Sequence, residues 1–352
     1  MSRSILIAGS GKIARDTGMY FLKKGHAVSW VSANETRLME LQAWADKSVR
    51  IFMKYSGGSV KQVSASFYLY NELEDEKYEV IIECVKEQLE DKKAAVLRLE
   101  KYLNNTLLLS VSSSILPSRI HPDCAGFHVF YPLELTKTAE IILPASLPLS
   151  KKDSLTTMCA ENGITGIVQD EITAFAVNRL LLPLQNEVFR ALENGIGADD
   201  INGASASPLF PAGQLDFIKK VGPAVVRASV DNYQARMKPV GRDAYMPLSK
   251  GLAKMVDSPE RSQQGKRLSH EDFDTLKKRL YYLFINTCFG FLERKEILRS
   301  DLDHVLDSVF GAEIGLDEAV GKEGKKNIVG VLEEGYKKNK YDFYKPAESL
   351  AV

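Results

Sequence analysis

The sequence predicts an α/β fold: a doubly wound parallel sheet followed by an all-helical C-terminal domain that contains a duplicated helical unit. Three observations predict it. Over residues 4 to 32 a short apolar run, a glycine-rich turn, a helical pattern and a second apolar run follow one another. Strand-like runs then alternate with amphipathic stretches as far as residue 169, the order that gives parallel strands joined by helical crossovers. Beyond it, segments starting at Arg179 and Arg279 share Arg, Leu, Asn, Phe, Leu and Glu at an offset of one hundred residues. The expected division is 1–169 for the sheet domain, 170–265 for the first helical repeat and 266–352 for the second. A chain of 352 residues has room for this, at ~100–200 residues per domain.

The first run, SILIA at residues 4 to 8, is wholly apolar, as a strand buried on both faces requires. Gly9-Ser10-Gly11-Lys12-Ile13-Ala14 follows, a G-x-G-x-x-A turn. Gly9 permits the tight turn, Gly11 lets backbone N–H groups approach a pyrophosphate, and the small Ala14 lets helix and strand pack closely. A glycine-rich turn alone says little. Set between a strand and a helix in a Rossmann-type unit, it makes Gly9, Gly11, Lys12, Ile13 and Ala14 candidate dinucleotide-binding residues. The helix stops near Gly25, and residues 26 to 31 form the second strand. Ser32 ends it, where units that prefer NAD carry an acid on the adenosine ribose. With Asn34 and Arg37 nearby and no repelling carboxylate at that position, both NAD and NADP are admitted.

A helix is expected over residues 35 to 55, a break at 56 to 59, and a strand over 62 to 70. Residues 78 to 85 (YEVIIECV) make a buried strand, 91 to 102 a charged amphipathic helix, and 106 to 111 (TLLLSV) the next strand, ending in Ser112-Ser113-Ser114. Ligands of such sheets bind at the carboxyl ends of the strands. The serine cluster and Glu83 to Glu87 stand at two of those ends. The helical region starts near residue 170, and the polar, proline-bearing stretch 237 to 264 reads as a connector between the repeats.

Composition narrows the function classes. Lys+Arg and Asp+Glu both total 46, so no charge excess points to nucleic acid or a membrane surface. Cys84, Cys124, Cys159 and Cys288 have no metal-ligand spacing and read as reduced thiols of a cytoplasmic protein. No metal site is expected. The apolar run at the N-terminus is too short for a signal peptide, and none approaches the ~18–20 residues of a membrane span.

One further segment, CAGFHVFYPLELTKTAEII at residues 124 to 142, resembles the signature of the L-3-hydroxyacyl-CoA dehydrogenase family, with His128 and Glu140 at its His and Glu positions. Three other segments match that family in order: IIECVKEQLEDKKAAVLRLEKYL, LLSVSSSI, and DEITAFAVNRLLLPLQNEVFRALENGIGADDI. The resemblance covers residues 4 to 220 well and the rest loosely. It implies NAD(P)-dependent interconversion of an L-3-hydroxyacyl-CoA and a 3-oxoacyl-CoA, in fatty acid metabolism. His128 is implied as general base and acid, with Glu140 orienting it. Ser113 and Asn178 are implied to hold the substrate oxygen and the histidine, and Glu87 and Lys92 to lie on the cofactor side.

The residues themselves support the dyad. An isolated histidine among Phe127, Val129 and Phe130 is more often a core residue than a catalyst. Glu140 alters that balance, because a carboxylate between alanine and two isoleucines needs a partner. A hairpin-like return after Pro132 would bring it to the imidazole, fixing the tautomer that a general base needs. For the other residues plainer readings stand beside the implied ones. Serines at a strand end cap turns, Asn178 would serve as a helix cap, and Glu87 and Lys92 would be ordinary charges at a helix start.

Three departures from the family pattern matter. Relatives place a long helical hairpin before the glutamate-bearing strand, where it helps to hold CoA; here only one helical stretch and a short strand fit. Tyr131 stands where the family usually has Asn before the proline. Ser32 replaces the ribose-binding acid. The alternatives are therefore a dehydrogenase of a small non-CoA 3-hydroxy acid, or a non-catalytic cofactor-binding module acting through its helices. The apolar helical faces suggest a homodimer or an internal pseudo-dimer of the two repeats.

Overall fold

Alternating apolar runs build the expected sheet, with side chains of successive strand residues entering opposite layers. The computed structural model describes residues 2–55, 64–73, 77–237 and 265–351. The expected break at 56 to 59 lies outside the described residues, as does the connector over 237 to 264 except for Met237, the last residue of a helix. Two compact units are present, Met1–Ala174 and Phe175–Val352.

In the first unit the elements run β1 Ser4–Ala8, α1 Lys12–Lys23, β2 Ala27–Ser32, α2 Glu35–Tyr55, β3 Ala65–Leu69, β4 Val80–Glu83, α3 Leu89–Leu97, β5 Leu107–Ser110, α4 Pro117–Ile120, β6 Cys124–Val129, α5 Leu133–Thr136, β7 Thr138–Ile142, α6 Leu149–Glu161 and β8 Thr165–Gln169. The sheet order is β3-β2-β1-β4-β5-β6-β7-β8. Every neighbouring pair is parallel except β6 and β7, which are antiparallel. The order reverses beside β1, which makes the carboxyl ends of β1 and β4 the crevice where such sheets take ligands.

Period two sorts the core into two layers. Ile5, Ile7, Val28, Trp30, Val80, Ile82, Leu107, Leu109 and Phe127 join one cluster with residues of α1, α2 and α6. Leu6, Ala8, Val31, Ile81 and Leu108 join the other, with Val96, Leu99, Leu103 and Ile120. Strands covered on both faces explain the near-continuous apolar runs of the sequence.

The second unit is helical: α7 Ala176–Glu193, α8 Ala198–Ser205, α9 Gln214–Val221, α10 Pro223–Met237, α11 His270–Glu293, α12 Arg299–His304, α13 Leu316–Glu323, α14 Lys325–Asn339 and α15 Glu348–Ala351. Its elements repeat. Helices α9 and α13 each begin after a glycine and end at a glycine of positive φ, and Gly213/Gly315 and Gly222/Gly324 share an offset of 102 residues. Helices α10 and α14 follow each immediately. The long helices α7 and α11 pack together, and their leading arginines cross over. Buried Arg179 pairs with Glu296 beyond α11, while Arg279 of α11 approaches Glu187 of α7 at 3.5 Å.

Candidate active site

The glycine turn after β1 has the shape an anion needs. Gly9 adopts φ 136°, and a Cβ there would stand 2.7 Å from the Cys84 carbonyl oxygen, so only glycine fits. Gly11 is the N-cap of α1, and a Cβ there would have no heavy atom within 4 Å. That open space at a helix N-terminus is where the phosphates of a dinucleotide would lie. The Gly9 N–H donates to the Val31 carbonyl at 2.9 Å, and Arg15 Nε donates to the Ser10 carbonyl at 3.2 Å, which fixes the turn from both sides. Buried Ala14 accepts from Trp30 Nε1 at 3.1 Å, and half-buried Ile13 packs on the core. The Lys12 ammonium lies 3.7 Å from the centre of the Tyr131 ring.

Ser32 closes β2 and is buried. Its hydroxyl accepts from the Asn34 N–H at 3.1 Å, and Asn34 Oδ1 accepts from the Arg37 N–H at 2.9 Å, starting α2. Asn34 is thus spent on capping.

At the ends of β4 and β5, sequence reasoning found the members and missed how they connect. Lys92 is buried, and its Nζ donates to Glu83 Oε1 and Oε2 at 3.1 and 3.0 Å and to the Val85 carbonyl at 3.2 Å, with Glu87 Oε2 at 3.6 Å. Glu87 Oε1 accepts from the Ser112 hydroxyl at 2.6 Å, the Ser113 and Ser114 N–H groups at 3.0 and 2.9 Å, and the Ser114 hydroxyl at 2.8 Å. Burial opposes the charge on Glu87, but Lys92 and these donors outweigh it and hold the carboxyl below its usual range. Burial likewise opposes the Lys92 charge and is outweighed by Glu83 and Glu87, which hold its ammonium above the usual range. Glu83, given no role from the sequence, is the hub. Its signal is a carboxylate ending a wholly apolar strand.

The dyad sits across the one antiparallel seam. His128 on β6 and Glu140 on β7 are register partners, and His128 Nδ1 lies 2.6 Å from Glu140 Oε2. Both are buried, and the Phe130 ring lies against the imidazole with centroids 4.7 Å apart. A carboxylate facing Nδ1 places the ring proton there and leaves Nε2 as the acceptor. The segment after His128 is anchored to α1: Asp16 Oδ2 accepts from the Leu133 N–H at 2.8 Å, and Lys23 pairs with Glu134. Asp16 was not foreseen, because nothing in its spacing separates it from an ordinary helix charge. Asn178 lies in the second unit, third in α7, where Phe175 is the N-cap. Its Nδ2 donates to the Tyr233 hydroxyl at 3.2 Å.

Residues 4–169 match the family profile "3-hydroxyacyl-CoA dehydrogenase, NAD binding domain", and residues 175–267 match "3-hydroxyacyl-CoA dehydrogenase, C-terminal domain". The chain is similar in fold to 3-hydroxybutyryl-CoA dehydrogenase from Escherichia coli, with TM-score 0.71 and 16% identity over 100% of this chain and 98% of that one. It is also similar to (S)-3-hydroxybutyryl-CoA dehydrogenase from Ralstonia eutropha, with TM-score 0.62 and 18% identity over 75% of this chain and 98% of that one.

Proposed function

This chain belongs to the 3-hydroxyacyl-CoA dehydrogenase family of oxidoreductases, with an NAD-binding domain, and we propose that it interconverts an L-3-hydroxyacyl-CoA and the 3-oxoacyl-CoA. The observation that carries the reading is the buried His128–Glu140 pair on facing strands. In the oxidative direction His128 Nε2 accepts the proton of the 3-hydroxyl, and the imidazolium that forms is stabilised by Glu140 at Nδ1. In reverse, His128 returns that proton to the developing alkoxide. Ser113 holds the substrate oxygen in line with the histidine, and Asn178, on the helical unit, keeps only the role that the family resemblance implies. A nicotinamide dinucleotide, when held there, would supply the hydride chemistry. Gly9, Gly11, Lys12, Ile13 and Ala14 take its pyrophosphate, Ser32 lies on the adenosine side, and Glu87 and Lys92 act on the cofactor side from beneath the serine turn. With no acid at Ser32, NADP is admitted beside NAD.

His128→Gln should lower acetoacetyl-CoA reduction by about 10²–10⁴-fold in kcat, the usual worth of a general acid or base. Assays with NADH and NADPH in parallel read both the chemistry and the choice of cofactor. Undiminished turnover in that variant would remove the assignment. A second reading, a small non-CoA 3-hydroxy acid as substrate, is favoured by one observation. Between β2 and β4 the described residues hold only the helix α2 and the strand β3. Higher kcat/KM for acetoacetate than for acetoacetyl-CoA would select it. No described helix is long and apolar enough to cross a membrane. The crossed Arg179–Glu296 and Arg279–Glu187 pairs support an internal pseudo-dimer of the two helical repeats.

A further inference from the structure

The strand order places the two halves of a dinucleotide. The glycine turn after β1 takes the pyrophosphate and the end of β2 takes the adenosine ribose. In the order β3-β2-β1-β4-β5 the nicotinamide half therefore extends over the ends of β4 and β5. Glu83 is the last residue of β4 and Ser110 the last of β5, and Glu87 and the serine turn follow them.

The charges there do not cancel. Two carboxylates face one ammonium, and both oxygens of Glu83 and one of Glu87 accept hydrogen bonds. Glu83 accepts from the Val85 N–H and the Ser110 hydroxyl, each at 2.6 Å, besides Lys92. A single oxygen of Glu87 accepts four bonds from residues 112 to 114. At the rim, Lys86 pairs with Asp91 at 3.0 Å and so adds no net charge. Glu83 and Lys92 are 0% and 1% exposed at the side chain and Glu87 14%, so water and salt screen the excess weakly.

We infer that the Glu83–Lys92–Glu87 cluster holds one net negative charge beneath the nicotinamide half of the site and favours the oxidised dinucleotide over the reduced one. The oxidised nicotinamide ring is cationic and the reduced ring is neutral, so a fixed negative charge stabilises the former. In oxidation, the C3–H bond of the hydroxyacyl group breaks and its electron pair leaves with the hydrogen as hydride to the ring. The hydroxyl proton goes to His128, and the C3–O double bond forms. A charge that holds the ring cationic opposes that transfer and assists its reverse, so the bound couple is biased toward making the 3-hydroxy product.

The inference rests on the proposed placement of the cofactor across the strand ends, and the test separates the two. Dissociation constants of NAD+ and NADH are measured for the full chain by calorimetry, for wild type, Glu87→Gln, Glu83→Gln and Ser114→Ala. Each Gln variant removes one negative charge while keeping a hydrogen-bond acceptor. The ratio Kd(NAD+)/Kd(NADH) should rise about tenfold in both and stay unchanged in Ser114→Ala, which removes a bond and no charge. Equal weakening of both nucleotides, or an unmoved ratio in the folded variants, overturns the inference alone. Loss of fold in both Gln variants would make the cluster structural and overturn it equally. If wild type binds neither redox form of NAD or of NADP, the cofactor placement falls with it.

Discussion

A glutamate between an alanine and two isoleucines must find a donor or a cation, because an unpaired buried carboxylate is costly. Glu140 finds the His128 imidazole at 2.6 Å, across a register that pairs the two residues directly. Both residues were legible for that reason: a rare type in an apolar run, with a turn between them. Glu140→Ala leaves Nδ1 without its acceptor, so the imidazole loses its fixed tautomer and the support of its charged form. Turnover should fall by about 10²-fold or more with KM little changed, read by steady-state kinetics with acetoacetyl-CoA. A change in KM alone would mean that Glu140 serves packing. The serine of the site was less legible, since adjacent hydroxyls cannot be ranked by spacing. Glu87 Oε1 takes the hydroxyls of Ser112 and Ser114 and the backbone N–H groups of Ser113 and Ser114, so one carboxylate gathers the whole turn. The links of Glu83 span nine residues to Lys92 and 27 to Ser110, separations that no local pattern encodes.

Among the elements, the contact of α1 with β2 shows how little room the dinucleotide unit leaves. A Cβ on Gly18 would stand 2.2 Å from the Trp30 ring, and Trp30 is itself stacked on Phe67 at 5.3 Å. Gly18→Ala should therefore destabilise the fold by about 1–3 kcal/mol, the usual cost of overpacking, seen as a lower urea midpoint at unchanged m. The sequence marks Gly18 only as one more small residue on an apolar face; its neighbour Trp30 comes from the next strand. A second contact ties the start of β1 to the end of α6. His26 Nδ1 accepts from the Arg3 N–H at 3.0 Å, and Nε2 lies 2.7 Å from Asn162 Oδ1. Burial holds the His26 pKa below its ordinary 6.5, with Asn162 only partly opposing it. The unfolded chain then binds a proton that the folded chain refuses, so stability falls as pH drops below about 6.5. Thermal melts between pH 7.5 and 5.5 should show this loss, and His26→Gln should flatten it. An unchanged slope in the variant would move the effect to another group.

Over the whole molecule, the two kinds of periodicity, two residues in strands and 3.6 in helices, carried most of the architecture. What they could not carry is where one body ends: the compact units divide at Ala174 and Phe175, in a stretch without periodicity after β8. The proposed duplication is marked in the sequence at only one pair of helices, because the shorter helices share glycine positions rather than side chains. In the structure those glycines frame matching helices, and the long helices α7 and α11 bury their faces against one another within one chain. This arrangement has a consequence for assembly. A helical unit whose apolar face is already covered has less need of a second chain, so light scattering should return a mass near the 39.2 kDa of a single copy. The crossed ion pairs should then report on folding rather than on association. Arg179→Met removes one of two partners of buried Glu296 and leaves Arg294 Nε on it at 2.7 Å, so the cost should fall below the about 3–5 kcal/mol of stranding a buried charge. The melting temperature should drop at every protein concentration by the same amount. A drop that shrinks as concentration rises would show instead that the pair acts at an interface between chains.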